Sequence, residues 1–158
     1  MNRRALLGAT VAASVSGCLS WLRGGRECPE LDGVEGDTIC SNDGSLFLEI
    51  EPRNVELPAT VTFTIVNERD RDVSFHTEYP LVYRDTGSDW EQDQYVRWNR
   101  SPTPTEVTDR RSFEMAVPFA DSWDPEPGEY LVLLPGWLGD PDTPVETVAV
   151  GEFVGIEP

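Results

Sequence analysis

Thr60 to Val66 carries a β-branched or aromatic side chain at every position, with Val61, Phe63 and Ile65 on one face and threonines on the other. That alternation fits a pleated strand buried on one face. The pattern returns along the chain. Leu46, Leu48 and Ile50 alternate with Phe47, Glu49 and Glu51 ahead of Pro52, and Val73, Phe75, Thr77 and Tyr79 continue it beyond the charged turn Asn67 to Asp72. His76 then falls on the polar face of that strand. Leu81 to Arg84 and Trp90 flank the turn Asp85-Thr86-Gly87-Ser88-Asp89 as a hairpin whose return arm reaches Tyr95, Val96 and Trp98. Phe113, Met115, Val117 and Phe119 alternate strictly, Tyr130 to Leu134 is apolar throughout between Gly128 and Pro135-Gly136, and Val145 to Ile156 supplies a last strand with a break at Gly151. No segment sustains helical periodicity. Many short strands separated by turn signals predict an all-β antiparallel β-sandwich over residues 45–158.

The N-terminus reads differently. Arg3 and Arg4 precede the uncharged run Ala5 to Ser16, which ends in Val15-Ser16-Gly17-Cys18. A positive start, a short apolar run and small residues before a cysteine follow the logic of a lipoprotein signal peptide, and the run falls short of the roughly 20 residues a bilayer span requires. Residues 1–17 are therefore expected to be removed, leaving Cys18 as a lipid-linked N-terminus that holds the protein on the outer side of the cell membrane. The competing reading, a cytosolic N-terminal helix, lacks a polar face for water. The arginine pair resembles the twin-arginine signal of proteins exported already folded.

Residues 18–44 are rich in Gly, Asp, Glu and Pro and read as a tether. With Cys18 assigned to lipid, Cys28 and Cys40 remain as a pair around Pro29 to Ile39. In an oxidising exterior a disulfide is expected; zinc would need four ligands, and His76 is the only histidine. No metal and no cofactor is expected.

The chain holds 29 acids against 12 basic residues, every one an arginine, for a formal charge of −17. The acids are spread along the chain, unlike an acidic tail. Self-repulsion of that size is screened at molar salt, where the Debye length is about 3 Å. An ordinary acidic secreted protein is the plainer alternative. Nucleic acid is not expected as a partner, because phosphate binding needs clustered Lys and Arg. Composition and signal together resemble exported lipoproteins of halophilic archaea.

In Asp124-Pro125-Glu126-Pro127-Gly128-Glu129-Tyr130 a tight turn delivers a tyrosine to the start of an apolar strand, the placement of a tyrosine corner. The run Thr60 to Asn67, then Trp90 after a Gly turn, then Pro127 to Tyr130, resembles the immunoglobulin-like domains carried on bacterial and archaeal lipoproteins, over about Leu46 to Phe153. The resemblance implies a module for contact or scaffolding and no particular ligand. The intersheet disulfide of antibody domains is missing, since neither cysteine lies inside an expected strand.

Catalytic chemistry finds little support. A cupredoxin copper site needs two histidines and a late thiolate, and Gly44-Ser45 and Gly87-Ser88 lack the nucleophile elbow of a serine hydrolase. Carboxylate pairs for hydrolysis carry no information among so many acids. Acid clusters such as Glu68, Asp70 and Asp72, or Asp140 and Asp142, lack the calcium-loop pattern and read as solvated surface. Trp98, Trp123 and Trp137 are candidates for an aromatic platform binding a glycan or an envelope protein, against the plainer reading that they cap the sandwich. Asn99-Arg100-Ser101 fits a glycosylation sequon. The expectation is a non-enzymatic, lipid-anchored binding or structural module of the cell envelope, with a solute- or glycan-binding lipoprotein and a carboxylate hydrolase as alternatives.

Overall fold

The structure, a computed structural model, describes residues 26–78, 80–93 and 103–158. Eleven strands are formed among them: β1 (Asp37–Ile39), β2 (Leu46–Glu51), β3 (Asn54–Glu56), β4 (Ala59–Asn67), β5 (Val73–Phe75), β6 (Leu81–Asp85), β7 (Trp90–Gln92), β8 (Thr105–Val107), β9 (Arg110–Val117), β10 (Gly128–Gly139) and β11 (Pro144–Glu157). They build two packed sheets. The smaller is antiparallel, in the order β2-β4-β9, and the larger is organised on the long β10–β11 hairpin.

One side of β11 pairs with β1 and, further on, with β3, and both pairings are parallel. The larger sheet is thus mixed, a correction to the all-antiparallel expectation. Its cause is chain path, because β1 follows a loop that crosses the sheet and turns back, and so arrives running the same way as β11. Three-residue strands such as β1, β3 and β8 are too short to show periodicity in the sequence. On the other side of β10, β6 pairs with Tyr130 to Leu133 and β5 pairs with Gly136 and Trp137.

β10 does not stop at Pro135-Gly136. The Pro135 carbonyl accepts from the His76 amide at 2.9 Å, and a residue's N–H and C=O point to the same side of a strand. The missing proline N–H therefore falls on the edge where β6 gives way to β5, and the ladder to β11 loses nothing. Gly151 is likewise no break. It pairs with Leu133, and a Cβ there would collide with the Leu133 side chain and lie 3.2 Å from Leu131 Cδ1.

Alternation fixes the core. Leu46, Leu48 and Ile50 of β2, Val61, Phe63 and Ile65 of β4, and Tyr130, Val132 and Leu134 of β10 meet Val148, Val150 and Val154 of β11 between the sheets. Asn67 closes this core at one end. It is 1% exposed, its amide donates to the Arg71 and Val107 carbonyls at 2.8 Å each, and its oxygen accepts from the Arg69 amide at 3.1 Å.

The sequence places residues 18–44 outside the domain as a tether. From Arg26 onward the chain is instead packed on the larger sheet, and Asp37–Ile39 is one of its strands. β10 and β11 also present Leu131, Leu133, Ala149 and Phe153 on the outer face, where they cluster with Cys40 and Tyr83 beneath Cys28, Leu31 and Val34. A strand apolar on both faces needs a cover on both. The Cys28–Cys40 disulfide clips that cover in place.

Candidate functional site

Beyond the clipped segment the outer face of the larger sheet forms, among the described residues, a groove of about 360 Å³. Its floor follows from register: Pro135 lies opposite Ala149 and Trp137 opposite Thr147. His76, just past β5, brings its ring to 4.6 Å from the Trp137 ring, and Leu81 closes that side. One wall is the loop tip Gly33-Val34-Glu35; the other is the β10–β11 turn with Pro141 and Pro144. Volume and lining suit a small ligand or a side chain of a partner, for pockets of this kind are apolar with few polar groups and run from about 300 Å³ upward. Glu35, His76 and Thr147 provide the polar side chains.

The wall is held at several points. The Tyr83 hydroxyl donates to the Asp32 carbonyl at 3.1 Å. Gly36 takes φ +77°, and any Cβ there would strike Thr147. At the segment's start, Arg26 lies 3.9 Å from the Phe153 ring centroid and pairs with Glu129 at 2.7 Å. The segment therefore runs across the sheet from the Glu129 end of β10 to the Trp137 end, before β1 brings it back.

The candidate tryptophans do not form one platform. Trp123 is 5% exposed and belongs to the intersheet core: it stacks on Phe119 at 5.1 Å, meets Tyr130 edge-on at 5.9 Å and donates from Nε1 to Asp93 at 3.0 Å. It is a packing residue, in keeping with the plainer reading that it caps the sandwich. Trp137 is 7% exposed and lines the groove on the opposite face of the sheet. At about 3.3 Å per residue, Trp137 stands roughly 23 Å from Tyr130 along β10. Trp98 and Asn99 lie outside the described residues, as do Arg3, Arg4 and Cys18.

The groove's other members were not singled out in sequence. The signal that pointed to them was the fully apolar run Tyr130 to Leu134, which demands a second covered face. What it left unmarked is where the cover stops.

Away from the groove, Glu152 is 2% exposed on the intersheet side of β11. Burial pushes its carboxyl above the ordinary range, while the Phe153 amide at 2.9 Å and Arg53 at 3.3 Å act in the opposite sense. Burial likewise raises the Tyr130 phenol. Among the described residues no three His, Cys, Asp or Glu converge as a metal set, and no helix is long and apolar enough to cross a membrane.

What fold and site define is a small all-β domain of two packed sheets with a groove on its outer face, walled on one side by the tip of a disulfide-closed loop. No protein-family model, curated protein or solved structure matches the chain.

Proposed function

We propose that the chain is an exported binding module of the immunoglobulin-like type, anchored by lipid on Cys18 and engaging an envelope component through the groove at Trp137. The groove carries this reading. Val145 is the one exposed large hydrophobic among the described residues, so a broad apolar contact patch has little to build on, whereas a concave, part-apolar site walled by a clipped loop is present. The oxidised pair favours an extracytoplasmic home. The acidic surface fits a salt-rich exterior, and the Tyr130 hydroxyl bonded to the Glu126 carbonyl is the contact a tyrosine corner makes. A soluble solute or glycan is the second reading, favoured by the groove's modest volume and its polar Glu35, His76 and Thr147.

The groove and the anchor can be tested separately. Cys18→Ser should move the protein out of the membrane fraction, whereas Thr147→Trp, which fills the groove, should leave it there but abolish recovery of the bound component at native salt. A Cys18→Ser protein still in the pellet contradicts the anchor, and undiminished recovery with Thr147→Trp contradicts the groove.

A further inference from the structure

β9 is the outer strand of the smaller sheet, paired along its whole length to β4 and, among the described residues, to nothing on its other side. Its free backbone groups can be identified. The Asn67 amide donates to the Asp109 carbonyl at 2.7 Å, one step beyond the Val66–Arg110 pair. In an antiparallel ladder bonded and non-bonded pairs alternate, so Arg111, Phe113, Met115 and Val117 turn their backbones to β4. Arg110, Ser112, Glu114 and Ala116 turn theirs outward.

Long open edges are normally blunted by a bulge, a proline or repelling charge. The β4–β9 register runs from Ala59–Val117 to Val66–Arg110 without a shift, and the nearest proline, Pro118, comes after the strand. The charges on its outer face are of opposite sign at the two outward positions Arg110 and Glu114. Arg110 is 62% exposed, and its nearest carboxylate, Glu49, is 3.7 Å away.

We propose that β9 is a self-association edge on which a second copy of this chain docks, antiparallel, about a two-fold axis through Ser112. An isologous contact places residue i against j and j against i, and preserving the two faces requires partners of the same parity. Centred on Ser112, the register sets Arg110 of each copy against Glu114 of the other, twice, while the outward N–H and C=O groups of both residues and of Ser112 become bonded. The alternative centre on Phe113 sets Arg110 against Ala116 and leaves the charges without direct partners. The two small sheets would join as one continuous sheet, with the groove faces turned outward on both copies.

The full chain, extracted in molar salt and examined by sedimentation with detergent mass accounted for, should show a reversible dimer. Arg110→Glu or Glu114→Arg alone sets like charges opposite each other twice and should weaken it several-fold. The double variant R110E/E114R should restore it. Ser112→Pro, whose lost N–H serves no bond to β4, should give a folded monomer by near-ultraviolet circular dichroism. A monomer at every concentration, a dimer indifferent to the single reversals, or single reversals that the double variant fails to rescue would each overturn the proposal.

Discussion

The Tyr130 hydroxyl donates to the carbonyl of Glu126, four residues upstream, at 2.6 Å, with the tyrosine side chain inside the core and Trp123 against its edge. The bond ties the turn before β10 to the strand's first inward residue. Tyr130→Phe keeps the ring and leaves the carbonyl without this donor, so it should destabilise the domain by about 1–2 kcal/mol in a denaturant titration at matched salt. No change would mean that the turn finds another donor at no cost.

Cys28 and Cys40 close a loop with a sequence separation of 12, and that loop is the cover of the outer face. The Cys28→Ser/Cys40→Ser variant should lose about 3 kcal/mol on the loop-entropy estimate. Because β1 and Val34 depend on the same clip, hydrogen exchange should rise first at residues 28–40 and at Thr147 to Val150, while β2, β4 and β9 keep their protection. Uniform loss of protection would show that cover and sandwich unfold as one unit.

Glu152 sits between the sheets with a raised affinity for its proton. A carboxyl whose folded pKa exceeds its unfolded value near 4.3 contributes stability that is fully present below the unfolded value and lost as pH rises through the folded one. Glu152→Gln should therefore be at least as stable as wild type near neutral pH, and its advantage should shrink as pH falls toward about 4. Arg53, left without its partner, is 37% exposed and is solvated at little cost. A variant less stable than wild type at neutral pH would show that the ion pair outweighs the burial of charge.

Asn67 ends the clearest strand in the sequence, yet its three side-chain hydrogen bonds reach two separate turns. Asn67→Ala strands the Arg71 and Val107 carbonyls and should cost about 2–4 kcal/mol. Asn67→Asp, which keeps the acceptor for the Arg69 amide but offers no donor, should cost a similar amount. A cost within 0.5 kcal/mol for either would remove Asn67 from its bracing role.

Strands buried on one face were legible because alternation is a local property: β2 follows it throughout, β4 as far as Phe63 and β9 from Ser112 onward. β10 and β11 were legible only in part. Pro135-Gly136 and Gly151 look like breaks in one dimension, whereas in the sheet they fall at a change of neighbour and beneath a leucine side chain. The clipped cover was hidden because residues 28–40 owe their order to an outer face that only β10 and β11 together create. The groove was hidden for the same reason: it is the part of that face the cover does not reach, and no motif records an edge.

The central claim is that the groove at Trp137 is where the module makes its contact. A photo-cross-linking residue at Pro144, on the groove wall, is to be compared in intact cells at native salt with one at Thr62, on the outward face of the smaller sheet. The account predicts one discrete adduct from Pro144, none like it from Thr62, and loss of the adduct when Thr147→Trp fills the groove. An adduct common to both positions, or one from Pro144 that survives Thr147→Trp, would contradict it.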